Sequence, residues 1–194
     1  MAEVVIVEGV RTAVGKRKGA LSDTRPDELA AVVLDELVKR ANVDKALVED
    51  VILGCVTQVG EQAGHVARTA ALIAGFPIHV PGVTIDRQCG SSQQAVHFAS
   101  QAILAGDMDI VIAGGVESMT REPMFSNVGD VRPSEKLTSQ YDIVNQGISA
   151  EKIVEQWKLS REQLDKFSAE SHDRAFEAIR NGHFKKEIVP VEVA

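Results

Sequence analysis

The sequence predicts an α/β fold with a mostly parallel sheet and helices on both faces. Four short apolar runs, at residues 4–10, 50–57, 83–88 and 109–115, read as strands, and stretches with helical spacing of apolar residues separate them. After a right-handed crossover, the next strand runs in the same direction as the one before it, so successive βα units predict parallel pairing.

The helices of this alternation have recognisable ends. Pro26 opens the first helix at its first turn, and apolar residues at helical spacing carry that helix to about Ala41. The second helix spans residues 64–74, and we expect Gly75 to cap its end. The third helix follows Cys89 directly.

The pattern changes after Glu117. Residues 119–146 contain two prolines and no sustained periodicity, which is typical of an inserted functional loop. A mainly helical segment follows, and Ser160–Gln163 is a capping box ahead of its longer helix. The predicted organisation is a core half at 1–118, a partial loop-domain segment at 119–186 and the start of a further strand at 187–194.

Composition and charge exclude several classes of function. The net charge of −7 argues against a general nucleic-acid binder. The longest apolar runs fall short of the roughly 18 residues that a membrane-spanning helix needs, and the N-terminus lacks the basic region of a signal peptide. Two cysteines so far apart form neither a disulfide framework nor a metal site. We therefore expect a cytoplasmic protein with no membrane partner, no bound metal and no bound cofactor.

Cys89 is the candidate nucleophile. The stretch VTIDRQC ends a predicted strand, and ligands bind at the carboxyl ends of the strands in open parallel sheets. Cys89 also begins a helix, where free N–H groups and partial positive charge stabilise a thiolate. The residues alone leave open an inert, small apolar role for Cys89, and we favour that role for Cys55, in mid-strand.

A nucleophilic thiolate needs a base, and none of the five histidines fits. His97 lies about 12 Å further along the helix that Cys89 begins, which is too far for a hydrogen bond. The others are predicted to be structural or to face solvent: His65, His79, His172 and His183.

Four stretches are similar to a known family in their residues and in their order along the chain: VRTAVGKRKGAL, ARTAALIAG, TIDRQCGSSQQAVHFASQAILAGDMDIVIAGGVESMT and GISAEKIVEQWKLSREQLDKFSAESHDRA. The chain thereby resembles thiolases, the acetyl-CoA acetyltransferases and 3-ketoacyl-CoA thiolases. The resemblance implies a thiolase-like N-terminal core in which Cys89 carries the acyl group as a thioester. It further implies coenzyme A thioesters as substrates, acyl-CoA and CoA as partners, and a homodimer or tetramer.

The chain also departs from the family pattern. Gln146 stands where short-chain biosynthetic thiolases usually carry a methionine, which makes it the candidate substrate-binding residue and puts a preference for acetoacetyl-CoA in doubt. The Gly-His-Pro, Asn-Glu-Ala-Phe and cysteine-containing glycine-rich motifs of a thiolase's second half are absent from these 194 residues. We therefore expect an incomplete half of the enzyme, with the C-terminal half absent.

Two alternatives stay open at this stage. The first is a related condensing enzyme, such as a ketoacyl synthase or a hydroxymethylglutaryl-CoA synthase, which shares the doubled fold and a nucleophilic cysteine. The second is a non-catalytic half that dimerises or binds acyl-CoA. The Glu117-Ser118-Met119 and GISAE segments favour a thiolase over the first alternative.

Overall fold

A computed structural model describes residues 3–193 of the chain. Two compact units make up the chain, one containing the residues up to Gly129 together with those from Glu187 onward, and the other Asp130–Lys186. The helices and strands, in chain order, are β1 (Arg11–Thr12), α1 (Pro26–Ala41), β2 (Asp50–Gly54), α2 (Val66–Ile73), β3 (Gly82–Ile85), α3 (Ser91–Ala105), β4 (Val111–Gly115), α4 (Glu135–Thr138), α5 (Gln146–Trp157), α6 (Arg161–Arg180) and β5 (Ile188–Val189).

The first unit is built on a three-stranded parallel sheet in the order β3-β2-β4. Gly54, the last residue of β2, pairs with Ile85 of β3 on one side and with Gly115 of β4 on the other. The carboxyl ends of all three strands therefore lie side by side. This arrangement confirms the predicted parallel α/β fold.

Helices cover both faces of this sheet, as predicted. On β2, Val51 and Leu53 belong to the larger apolar cluster, which includes residues of α1 and α2. Ile52, which points to the opposite face, belongs to a second cluster with Ala95 and Ala99 of α3. The alternation along β2 thus divides the core into two layers, because successive side chains of a strand point to opposite faces.

The ends of the helices follow the signals in the sequence. Pro26 occupies the start of α1, and Asn42 closes that helix with a left-handed backbone at φ 53°. Gly75 has φ +76° just after α2, where a residue without Cβ is favoured. Ser160 and Gln163 form the predicted capping box at the start of α6.

The first predicted strand is wrong. Residues 4–10 belong to no strand in the structure, and Ile6 is 85% exposed. The pairing that does form lies further along, where Arg11 and Thr12 of β1 meet Ile188 and Val189 of β5 in parallel. A β-branched run favours extended backbone, but it becomes a strand only where a neighbouring backbone supplies its hydrogen bonds.

The other strands are also shorter than predicted. β2 ends at Gly54 and β3 at Ile85, so residues 55–57 and 86–88 lie beyond the regular strands. The further strand predicted to start within 187–194 is likewise limited to Ile188–Val189. These shortened ends leave the residues around Cys89 in irregular backbone, outside the regular ladder of the sheet.

The second unit is helical. Asn145 caps α5 by accepting a hydrogen bond from the Gly147 amide at 2.9 Å, so this helix begins at Gln146. Lys158 then adopts a left-handed backbone at φ 51° before the capping box of α6. Between residues 119 and 145, the short α4 is the one α-helix in the structure, in keeping with the predicted irregular segment. No helix in residues 3–193 is long and apolar enough to cross a lipid bilayer.

Candidate active site

Two glycines bring the start of α3 against the ends of β2 and β4. A Cβ on Gly54 would lie 2.5 Å from the Ser91 carbonyl carbon and would also clash with the Ser92 amide. A Cβ on Gly115 would clash with the Ser92 hydroxyl and lie 2.7 Å from the Gly54 carbonyl oxygen. Real Cβ atoms do not approach other atoms so closely, so both positions need glycine if the helix is to keep this place.

Cys89 lies at this junction, immediately before α3. Its side chain is exposed and its thiol is free. Gly90 is the N-cap residue of α3 and Ser91 is the first residue in the helix. The structure therefore places Cys89 where the sequence predicts it, beyond the strand ends and at the N-terminus of a 15-residue helix.

The residue before Cys89 has an unusual backbone. Gln88 has φ 48°, in the left-handed region that side chains with a Cβ seldom occupy. The Asp86 carboxylate accepts a hydrogen bond from the Gln88 amide at 2.7 Å, and the Ser91 hydroxyl donates to the Gln88 carbonyl at 2.6 Å. The chain thus makes a tight, hydrogen-bonded turn on its way from β3 into α3.

Cys55 differs from Cys89 in its exposure to solvent. It is 1% exposed, directly after β2. Burial raises the pKa of the Cys55 thiol to about 12, and the carboxylates of Glu117 and Asp86 reinforce that rise. A thiol that stays protonated and covered is inert, in agreement with the role predicted for Cys55.

A buried glutamine joins the loops that follow β2 and β4. Gln62 is 0% exposed, and its amide nitrogen donates to the Thr57 carbonyl and to the Glu117 carboxylate, both at 2.7 Å. Its amide oxygen accepts from the Ser118 backbone at 2.7 Å. Glu117 also accepts from the amides of Val56 and Thr57. We call this arrangement the Gln62 network.

Charged residues hold the same loop on its outer side. Glu61 pairs with Arg121 through both of its carboxylate oxygens and with Arg25 at 3.2 Å. The hydrogen bonds from Arg121, together with the charges of Arg121 and Arg25, hold the pKa of Glu61 below its usual value. The Glu61 amide in turn donates to Glu122 at 2.7 Å. These contacts fix the loop between β2 and α2 to the segment after β4.

Sequence reasoning did not identify the Gln62 network or the two glycines that seat α3. A single buried glutamine carries no local signal, because its partners lie up to 56 positions away in the chain. Gly54 and Gly115 stand out only as glycines at strand ends, a pattern that also marks bulges and close backbone approaches.

Gln146, the candidate substrate-binding residue, and the five histidines are all exposed. Gln146 is the first residue of α5, in the second unit. The His79 ring lies 3.2 Å from the Ala46 carbonyl. Within residues 3–193, no group of three or more histidine, cysteine or acidic side chains could hold a metal ion.

Comparisons with known proteins give a consistent result. The family model for the N-terminal domain of thiolases matches residues 4–194. A steroid 3-ketoacyl-CoA thiolase of Mycobacterium tuberculosis is 46% identical to the chain over 99% of the chain and 50% of that protein. A 3-ketoacyl-CoA thiolase of Bacillus subtilis is 42% identical over 100% of the chain and 50% of that protein.

A solved structure agrees with these sequence matches. The crystal structure of the Bacillus anthracis acetyl-CoA acetyltransferase matches with a TM-score of 0.87 and 38% identity, over 100% of this chain and 52% of that one. The chain therefore spans about half the length of the curated relatives that it matches.

Proposed function

The chain belongs to the thiolase family, and from that premise we propose that it supplies the nucleophile of an acyltransferase acting on coenzyme A thioesters. One observation carries the proposal. Cys89 is an exposed, free thiol at the N-terminus of α3, next to the carboxyl ends of three parallel strands. Open parallel sheets bind ligands at such an edge, so a substrate can reach this sulfur.

The proposed reaction is thiolysis of a 3-ketoacyl-CoA, or its reverse. The Cys89 thiolate attacks the 3-keto carbon and forms a carbon–sulfur bond. The bond between C2 and C3 then breaks, its electron pair stays on C2, and protonation releases acetyl-CoA. In the second half, the thiol of free CoA gives up its proton, attacks the thioester on Cys89 and leaves as acyl-CoA, while the Cys89 sulfur departs as the thiolate.

The residues of this chain account for one part of that chemistry. The N-terminus of α3 places the partial positive charge of the helix dipole beside Cys89, which favours a negative charge on the sulfur. The proton transfers need a base and an acid, and the sequence around the five exposed histidines carries no motif for either. We assign those steps to the histidine and cysteine motifs that thiolases carry in their second half.

The substrate, assembly and location belong to the same proposal. Gln146, at the family's methionine position, suggests 3-ketoacyl chains longer than that of acetoacetyl-CoA. A homodimer or tetramer is supported by β3, which is an edge strand of its sheet and offers unpaired backbone groups to a second copy. A cytoplasmic location is supported by the sparse cysteine usage.

A reconstitution assay tests the function. The 194-residue polypeptide is incubated with a 3-ketoacyl-CoA and free CoA, alone and after mixing with a thiolase C-terminal half that carries the three missing motifs. We expect turnover only in the mixture, because each missing acid or base group is worth about 10²- to 10⁴-fold in rate. Cys89→Ala should abolish turnover, whereas Cys55→Ala should retain it.

Two outcomes of this assay would contradict the proposal. Robust turnover by the 194-residue polypeptide alone would mean that one of its histidines acts as a base. A mixture that assembles without turnover would favour a non-catalytic half that binds acyl-CoA. A chain-length series with Gln146→Met then tests the substrate assignment, and the proposal expects that variant to shift preference toward acetoacetyl-CoA.

A further inference from the structure

The turn that presents Cys89 is held in part by the side chains of Asp86 and Ser91. Gln88 has φ 48°. A residue with a Cβ pays a conformational cost in this region and tends to leave it unless its surroundings hold it there. The contacts that hold Gln88 in this conformation therefore affect the direction in which the Cys89 side chain points.

Ser91 and Asp86 hold both polar groups of the Gln88 backbone. The Asp86 carboxylate accepts from the Gln88 amide at 2.7 Å. The Ser91 hydroxyl donates to the Gln88 carbonyl at 2.6 Å and accepts from the Arg87 amide at 2.8 Å. Ser91 is only 4% exposed, so water cannot readily replace these bonds.

An ordinary helix cap does not explain these contacts. A capping serine precedes its helix and accepts from an amide inside the helix. Ser91 is instead the first residue of α3, and its hydroxyl bonds backward to Arg87 and Gln88. Gly90, which does occupy the cap position, makes no side-chain cap bond. The Ser91 hydroxyl thus serves the turn before the helix.

We propose that Ser91 and Asp86 are positioning residues that keep Cys89 directed at the substrate by holding Gln88 in its left-handed conformation. Cys89 is flanked by Gln88 on one side and by Gly90 on the other, and the Gly90 amide donates to the Arg87 carbonyl at 3.0 Å. The Gln88 carbonyl also accepts from the Ser91 amide at 3.1 Å, so loss of the Ser91 hydroxyl weakens the turn without abolishing it. Gln88 then populates negative φ more often, and the Cys89 side chain turns with the peptide plane that follows. This inference rests on the proposed role of Cys89 as nucleophile.

Alkylation kinetics test the inference on the 194-residue polypeptide. Iodoacetamide labelling of Cys89 is followed by peptide mass spectrometry, with circular dichroism recorded on every variant. Ser91→Ala removes both hydrogen bonds of the hydroxyl, each worth a population factor of about 2 to 10, so we expect labelling to slow about 4- to 100-fold. Ser91→Thr keeps the hydroxyl and should label like the parent. Ser100→Ala removes a hydroxyl from the same helix away from the turn and should have no effect.

The decisive variant adds Gln88→Gly to Ser91→Ala. Glycine occupies left-handed backbone without a steric penalty, so the turn should form without the Ser91 hydroxyl and the labelling rate should return toward that of the parent. A merely structural loss would not be repaired in this way, because glycine only adds flexibility. A double variant no faster than Ser91→Ala, or Ser91→Ala matching Ser100→Ala, would overturn the inference.

A second pair of variants keeps the test valid if Ser91→Ala fails to fold. Asp86→Ala removes the acceptor of the Gln88 amide and should slow labelling, whereas Asp86→Asn keeps an acceptor oxygen and should label like the parent. Equal rates for Asp86→Ala and Asp86→Asn would also overturn the inference.

Incubation with acyl-CoA separates this inference from the proposed function. If Cys89 is not acylated in the parent while the labelling pattern holds, the function fails and the positioning of the thiol stands. If Cys89 is acylated while Ser91→Ala labels like the parent, the positioning role fails and the function stands.

Discussion

Replacement of Gln62 by leucine should open the loops beside the candidate site. Leucine nearly fills the volume of glutamine but makes none of its hydrogen bonds. The change deletes the two bonds that the Gln62 amide nitrogen donates, to Thr57 and Glu117, and the one that its oxygen accepts from Ser118. The Gln62 network then loses the side chain that joins the loop after β2 to the loop after β4.

The expected cost follows from those three contacts. Each hydrogen bond contributes about 1 kcal/mol net, which gives about 3 kcal/mol for the three. Two further effects oppose each other. The Ser118 amide loses the Gln62 oxygen as its acceptor, which adds about 1 kcal/mol or more, whereas the leucine side chain gains a similar amount from burial. The Thr57 carbonyl still accepts from the Val59 amide at 2.9 Å. We therefore expect about 3 kcal/mol less stability against opening.

Cys55 reports that opening directly. It is 1% exposed, and it immediately precedes the segment that the Gln62 network holds, so alkylation of Cys55 requires the loop to open. Since 1.4 kcal/mol is a factor of ten, Gln62→Leu should accelerate Cys55 labelling under native conditions about 10²-fold. The matched control is Gln58→Leu, which removes a single bond from an exposed side chain to the Cys55 carbonyl and should accelerate labelling by less than about 10-fold. Equal acceleration by the two variants would refute the reasoning.

Three further predictions concern neighbouring features of the same unit. Gly54→Ala should lower the free energy of unfolding by about 1–3 kcal/mol or more, because the added Cβ meets the backbone of α3. A Cβ on Gly114 meets only the Leu53 side chain, at 3.6 Å, so Gly114→Ala is the control. Chemical denaturation of the two variants measures the difference. The lowered pKa of Glu61 stabilises the fold above the unfolded value of about 4.3, and that contribution is lost as the pH falls through the folded value. Glu61→Gln should therefore lower the melting temperature at pH 7, and that deficit should shrink as the pH falls below about 4. A deficit that stays constant over this range would contradict the prediction. At neutral pH, iodoacetamide should label Cys89 far faster than Cys55, because Cys89 is exposed whereas burial raises the pKa of the Cys55 thiol to about 12; equal labelling would count against the assignment of Cys89.

Features encoded by residues close together in the sequence could be predicted well. The bounds of α1 follow from Pro26 and a helical apolar stripe, and the start of α6 follows from the capping box that begins at Ser160. The order of the elements predicted parallel pairing, since βα units admit few other arrangements. The position of Cys89 at a strand-to-helix junction could be predicted for the same reason: apolar run, turn and helix are contiguous there.

Features that depend on distant partners could not be predicted from the sequence. The apolar run at residues 4–10 has the composition of a strand, yet it forms no strand, because composition does not reveal whether a neighbouring backbone is available. The fit of Gly54 against the start of α3 joins residues more than 35 positions apart, and the same holds for the contacts of Gln62 with the loop after β4. No local pattern encodes either contact.

The acyl-enzyme measurement tests the central claim most directly. The 194-residue polypeptide and its Cys89→Ala variant are incubated with an acyl-CoA, quenched in acid and digested, and the peptides are analysed by mass spectrometry. We predict one added acyl group on the peptide that contains Cys89, released by hydroxylamine as expected for a thioester, and none on the Cys89→Ala variant. Acylation that persists in Cys89→Ala, or that maps to Cys55, would contradict the account.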